Sequence, residues 1–362
     1  MGTRSGKVYL SDEGYGHIVR QRAIMEALAA LDPSLDFTIQ THRHIAAVQR
    51  IIPGVKTLDR YNNITWHKQE NGSPDIDAIQ AEFANYQDTA ARWLDVENQS
   101  FAHDFVISDF VYEAFDLANQ HALPAFGVAH FTWDWFFAKL YPPPVQTQVM
   151  TYFFEAAKKA TRLYFPPFTP EEILRYYNAN AQEVPLIVGK SNSKKALEPT
   201  QKFKVLITDS GAGVLRNTIL NALSSVASLN DIEFYVSSNL TCDCSNVKYI
   251  DAQELMVDYI NQMDLVIGRA GFNTISECIG LRTPMLLIGE AMNPEMNENI
   301  VNLKKAGLGS FISLETFKND LGRYLPHFID HEYKYIAQNM TSHDMPVNGA
   351  EVIARDILDR LS

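Results

Sequence analysis

The sequence predicts an α/β protein made of two Rossmann-like, doubly wound parallel-sheet domains facing each other across a cleft. Three observations carry this expectation. Its short apolar runs are continuous rather than alternating, which is what strands buried on both faces require. They alternate with longer stretches of helical periodicity, as βαβ units do. The pattern then starts afresh near residue 204, in a chain of 362 residues, more than one compact core usually holds.

The first half offers strands at Val8-Tyr9-Leu10, Phe37-Thr38-Ile39, Phe105-Val106-Ile107 and Ala125-Phe126-Gly127-Val128. Between the first two, Ala23, Ile24, Ala27, Leu28 and Leu31 share one helical stripe, with Arg22 and Glu26 opposite, so this segment reads as a crossover helix. The second half offers Val205-Leu206-Ile207, Ile232 to Val236, Val247 to Ile250, Leu265-Val266-Ile267 and Met285 to Ile288. We place an N-terminal domain at 1–184, an interdomain linker at 185–203 and a C-terminal domain at 204–345. The linker carries two prolines and the polar run Gly189 to Lys195. Residues 346–362, with Val352, Ile353, Ile357, Leu358 and Leu361 on one stripe, close the chain as an amphipathic helix.

Composition excludes several classes. With 46% apolar and 20% charged residues, disorder, coiled coil and collagen-like structure are ruled out. A formal charge of -12, from 31 basic and 43 acidic groups, argues against nucleic acid as the main partner. Cys242, Cys244 and Cys278 form no paired framework, which points to a reducing compartment. The N-terminus has no signal-like apolar region and no stretch nears 18 apolar residues in a row, so the expectation is a cytoplasmic protein with no integral membrane segment.

Three strand-to-helix turns could carry chemistry. The first strand runs into Ser11-Asp12-Glu13-Gly14-Tyr15-Gly16-His17, which puts a histidine at a helix start. A helix N-terminus suits an anion, but Asp12 and Glu13 would repel a pyrophosphate, and the glycines serve equally to shape the turn. Asp109, at the end of another strand, is a second carboxylate in the same domain. The second turn, Ser210-Gly211-Ala212-Gly213, reads either as a phosphate cradle or as an ordinary βα turn. In the third, a strand ends at Ile267, a glycine turn follows, and a helix starts near Asn273 with Ile275, Cys278 and Ile279 packed. Glu277 then points off the packed face, suited either to ribose hydroxyls or to the helix dipole. The aromatic segment Phe131 to Tyr141, with Trp133 and Trp135, serves as core or as an acceptor platform. His327 and His331 lack a third matched ligand, so no metal site is expected there.

Two resemblances follow from these residues. The segment Ile250 to Gly309, with Arg269-Ala-Gly271-Phe-Asn273-Thr274-Ile-Ser276-Glu277, Thr283-Pro-Met-Leu-Leu-Ile288 and the run from Asn293 to Gly307, resembles the donor domain of GT-B glycosyltransferases. It is most like the lipid-linked N-acetylglucosaminyltransferases of bacterial cell-wall synthesis. Gly14-Tyr-Gly16-His17-Ile-Val-Arg20, Val106 to Asp109 and Phe131 to Trp135 resemble the glycosyltransferase-like N-terminal region of plant arabinokinases.

The resemblance implies the GT-B fold and transfer of a sugar from a nucleotide-diphosphate sugar, a UDP-sugar first, to a small-molecule or lipid acceptor. It gives Glu277 the ribose hydroxyls and the Gly271 to Ser276 turn, with Arg269, the diphosphate. Ser210, Gly211 and Gly213 support that site from the neighbouring loop. Glu295 would face the donor sugar, where Met296 replaces a family glutamine, and Asn299 matches a family asparagine. Gly14 and Gly16 frame the acceptor side, with His17 as the base and Asp109 as its competitor. The reaction is expected to need no metal and no cofactor beyond the nucleotide sugar, with no Asp-x-Asp motif serving it. A sugar-nucleotide hydrolase or epimerase, or a non-catalytic sensor, remains the alternative.

Overall fold

A computed structural model describes residues 4–12, 16–60, 67, 69, 75–140, 143–189, 197–208, 215–251, 255–290 and 293–362. The chain divides into two compact units, Met1–Ile187 with Pro346–Ser362, and Val188–Met345.

Unit 1 is built on seven strands: β1 (Ser5–Leu10), β2 (Asp36–Thr41), β3 (Lys56–Asp59), β4 (Phe105–Asp109), β5 (Ala125–Val128), β6 (Arg162–Phe165) and β7 (Ala181–Glu183). Their order is β3-β2-β1-β4-β5-β6-β7. Every pairing is parallel, with Leu10 opposite Asp109 where β1 meets β4. Unit 2 carries β8 (Phe203–Thr208), β9 (Ile232–Ser237), β10 (Val247–Ile250), β11 (Leu265–Arg269), β12 (Met285–Gly289) and β13 (Gly309–Ser313), ordered β10-β9-β8-β11-β12-β13 and again parallel. In such sheets the strand order reverses direction beside the first strand, and ligands bind at the carboxyl ends there. The two switch points lie between β1 and β4 and between β8 and β11.

The central strands are apolar throughout because helices cover both faces: Val8, Tyr9, Leu10, Val106 and Ile107 are fully buried, as are Val205, Val266, Ile267 and Leu287. Helix α1 (Gly16–Leu31) follows β1. It buries Ile24 and Leu28, as its stripe requires, but also Arg20, Gln21 and Arg22. Arg22 bonds Glu26 at 2.7 Å across one turn. The closing helix runs Gly349–Leu361 and packs on α1, with Tyr164 Oη donating to Asp356 Oδ2 at 2.7 Å. Residues at the start of the proposed linker return to unit 1: Leu186 N–H donates to Pro346 C=O at 3.1 Å, and Ile187 bridges Asn348. No helix among the described residues is long and apolar enough to cross a membrane.

Candidate active site residues in each unit

In unit 1, the carboxyl end of β4 delivers Asp109 to the start of α1. The next residue, Phe110, takes a left-handed φ of 66° and turns the chain sharply away. Asp109 is fully buried. His17 Nδ1 lies 2.7 Å from its Oδ1, Arg20 Nε donates to Oδ2 at 3.0 Å, Arg20 Nη2 donates to Oδ1, and Gln21 Nε2 donates to Oδ2 at 2.8 Å. Residues 17, 20 and 21 reach one carboxylate because i, i+3 and i+4 lie on the same helical face. Burial alone would raise the Asp109 carboxyl, but the Arg20 and His17 charges hold it well below the usual carboxylate range.

This arrangement corrects the rivalry between His17 and Asp109. A buried, ionised carboxylate with its oxygens occupied cannot take a proton from an acceptor. It can orient a histidine. With Nδ1–H donating to Asp109, the Nε2 lone pair of His17 is left for chemistry, and its side chain is 15% exposed. The ring edge packs on Phe110, centroids 5.4 Å apart. Gly16 begins the helix, while Gly14 lies outside the described residues.

Trp133 and Trp135 are 4% and 5% exposed and belong to the aromatic core of unit 1, which corrects the acceptor-platform reading. Trp133 Nε1 donates to Phe110 C=O at 3.2 Å, and its ring stacks on Phe137. A cavity of about 20 Å³ beside Phe110 and Thr132 has room for about one water, too little for an acceptor. Among these aromatics sit two carboxyls that burial pushes up to about 6, Glu113 and Asp134; Tyr86 and Tyr177 donate to them. The chain does contain an Asp-x-Asp, Asp75-Ile76-Asp77. Asp75 caps a helix there by accepting from Ala78 N–H at 3.0 Å, so this motif is a helix start in unit 1.

In unit 2, β11 ends at Arg269, and α2 (Phe272–Gly280) begins behind the N-cap Gly271, which has an extended φ of -76° and supplies no side-chain cap. A Cβ on Gly271 would meet nothing within 4 Å, so neither backbone nor packing calls for glycine here. A helix start with no side-chain cap from Gly271 and open space beside that residue suits an anion. Asn273 and Thr274 are partly exposed in the first turn.

Glu277 is 8% exposed, a correction to the open position expected for it. No hydrogen bond reaches its carboxylate among the described residues, and burial, reinforced by Asp258, pushes it up to about 8. Ser276 is fully buried, and its Oγ has no partner.

Two further donor-site assignments change character. Asn299 is 3% exposed and its Nδ2 donates to Ala270 C=O at 2.9 Å, so it ties down the loop that leads into α2. Arg269 is buried and its Nε donates to Glu290 at the end of β12, whose other oxygen is unpartnered. Its charge is therefore already balanced within the protein. α3 (Pro294–Ala306) is capped by Asn293, whose side chain accepts from Met296 N–H at 3.2 Å; Glu295 is partly exposed and Met296 is 4% exposed. Ser210, Gly211 and Gly213 lie outside the described residues. His327 and His331 stack with centroids 4.1 Å apart on an exposed helical stretch, where no third ligand joins them among the described residues.

Sequence reasoning missed Arg20, Gln21 and Glu290. The signal for the first two was present: polar residues three and four positions after His17, on a helix that must bury that face.

Residues 200–357 match the glycosyltransferase family 28 C-terminal domain. The UDP-N-acetylglucosamine--N-acetylmuramyl-(pentapeptide) pyrophosphoryl-undecaprenol N-acetylglucosamine transferase of Thermosipho melanesiensis is 27% identical over 171 residues, 46% of this chain and 48% of that protein. Its counterpart in Thermosipho africanus is 31% identical over 124 residues, 33% of this chain and 36% of that protein. The matches thus span about half or less of these curated relatives. Among solved structures, the glycosyltransferase SnogD from Streptomyces nogalater superposes with a TM-score of 0.68 at 16% identity, covering 100% of both chains. The spinosyn rhamnosyltransferase SpnG complexed with thymidine diphosphate gives 0.66 at 15% identity, covering 98% of this chain and 100% of that one. The protein therefore has the GT-B fold, and its residues 200–357 carry a glycosyltransferase family 28 C-terminal domain.

Proposed function

We propose that the protein is a glycosyltransferase that moves a sugar from a UDP-sugar to a hydroxyl of a small-molecule or lipid acceptor, without a metal or cofactor, in the cytoplasm. The observation that carries this reading lies inside the family-matched segment. There a helix start with no side-chain cap and with open space at Gly271 precedes, by under two turns, a buried carboxylate with no hydrogen bond among the described residues. A nucleoside diphosphate supplies what each lacks: phosphate oxygens for the N–H groups of α2, ribose hydroxyls for Glu277. UDP is favoured over other nucleotides by the UDP-sugar that the curated relatives are named for.

Unit 1 supplies the base. The acceptor O–H gives its proton to His17 Nε2 as its oxygen bonds to the sugar's anomeric carbon, and the bond from that carbon to the diphosphate breaks. Within unit 2, a diphosphate at the start of α2 would have the positive end of the helix dipole to stabilise its charge. Asp109 holds the ring by Nδ1 and balances the imidazolium that forms.

The test is UDP release from UDP-sugars, measured with and without candidate acceptors. Acceptor-dependent release is expected. Release at the same rate in water alone would make the enzyme a hydrolase, and binding without release would make it a sensor.

A further inference from the structure

His17 has a charged companion that its proposed role does not call for. The side chain of Arg20 is 2% exposed. It grips Asp109 at two points, Nε on Oδ2 at 3.0 Å and Nη2 on Oδ1. The same Nη2 stands 3.2 Å from His17 Nδ1. Nδ1 cannot accept from Arg20 while donating to Asp109 at 2.7 Å, and the shorter contact to the carboxylate decides the proton's direction. Arg20 also reaches back to His130, its Nη1 3.4 Å from Nδ1, so the guanidinium is held on both sides.

Two opposite charges therefore face the ring. A carboxylate favours a second proton on an imidazole, and a cation at hydrogen-bond distance opposes it with similar strength in the same dielectric. The remaining neighbours are known. His44, at the N-cap of the helix Ile45–Ile51, is itself disfavoured from protonation, by burial first and by His17 second. Asp12 and Arg43 stand behind His44 and act on it with opposite signs. His130 faces Arg20, while Gln21 and Phe110 carry no charge.

We propose that Arg20 is a positioning residue for His17: its grip on Asp109 fixes the imidazole as the Nδ1–H tautomer, and its charge opposes a second proton on the ring. A histidine paired with a lone buried carboxylate would be drawn toward imidazolium and lose its lone pair as the pH falls. Here the guanidinium stands against that pull from the same side of the ring. The inference rests on the reading of His17 as the base, but the state of the ring can be read without any turnover.

The experiment uses the full chain labelled with ¹⁵N-histidine, with long-range ¹H–¹⁵N correlation spectra followed from pH 5 to 8; His17→Gln assigns the signals. In the wild type the His17 ring is expected as the Nδ1–H tautomer. In Arg20→Met the pH at which its signals move halfway should rise by about one unit, the scale of a lost neighbouring charge. The acid limb of kcat/KM should move with it. Arg20→Lys keeps the charge but not the fork, so it should restore the midpoint while kcat stays reduced. An unchanged midpoint in Arg20→Met overturns the proposal, as does a midpoint in Arg20→Lys displaced as far as in Arg20→Met. If Arg20→Met does not fold, Asp109→Asn decides: leaving Arg20 as the only charge, it should lower the midpoint by about a unit, and no change overturns the idea. The expected ring shifts without UDP release from any UDP-sugar would leave the Arg20 assignment standing and sink the transferase reading.

Discussion

The two switch points treat their carboxylates in opposite ways. In unit 1, one buried carboxylate takes hydrogen bonds from three side chains on a single helix face. In unit 2, Glu277 is buried with no hydrogen bond among the described residues, Ser276 Oγ and one oxygen of Glu290 are buried without a partner there, and Gly271 leaves open space where a side chain would stand. Unsatisfied buried groups cost free energy, roughly 1 to 3 kcal/mol each, so a site that keeps them is built for something that is absent. The satisfied carboxylate of Asp109 holds one ring in one place. The comparison separates a pre-organised base from a ligand site in waiting, and each can be broken by itself.

The largest effect belongs to His17. His17→Ala should lower turnover by roughly 10² to 10⁴ while UDP affinity stays within about twofold, because the base acts in the transition state only. Single-turnover rates alongside thermal melting check this; a variant that melts lower but reacts at the native rate would end the catalytic assignment. Next comes Glu277. Removing its carboxylate in Glu277→Ala should weaken UDP binding by about 1 to 3 kcal/mol, or roughly 5- to 150-fold, measured by calorimetry.

The third effect sharpens the contrast through pH. Ribose hydroxyls donate to the ionised carboxylate, and Glu277 in the empty site is pushed up to about 8. UDP affinity should therefore be full above that pH and fall as the pH drops below it, by roughly tenfold between pH 9 and pH 7. Glu277→Gln should flatten this dependence, and a flat profile in the wild type would contradict the ribose assignment.

The smallest effect is on stability, within unit 1. Glu113 is pushed up to about 6 by burial, so its folded value lies above the unfolded one of about 4.3. The native state then binds the proton more tightly, and stability is lost as pH rises from about 4.3 to 6 and stays lost above. The loss is of order 2 kcal/mol. Glu113→Gln keeps an acceptor for Tyr86 and should gain a few degrees in melting temperature at pH 7.5 but not at pH 4.5. An equal change at both pH values would refute the desolvation account.

The chain's sequence made the central strands legible because burial on both faces leaves them uniformly apolar. It hid β3 and β7, short strands at the sheet edge whose residues are half exposed and polar, β13, whose Phe311 and Ser313 face solvent, and the four-residue β6, which is buried but too short to stand out between two helices. Gly271 and Glu277 were legible from the turn-helix pattern, though the burial of Glu277 was not, because helical periodicity assigns a charged residue to the outer face. The Trp133 segment misled for a general reason: an aromatic cluster reads the same whether it fills a core or faces a ligand. Arg20 and Gln21 were hidden because their partner, Asp109, is nearly ninety residues away and is brought close only by the β1–β4 pairing.

The most direct test is a calorimetric titration of UDP into the wild type, His17→Ala and Glu277→Ala side by side. The account predicts that His17→Ala binds UDP as the wild type does, while Glu277→Ala binds it at least fivefold more weakly. Equal affinity in the wild type and Glu277→Ala, or a loss confined to His17→Ala, would contradict the assignment of nucleotide to one unit and proton transfer to the other.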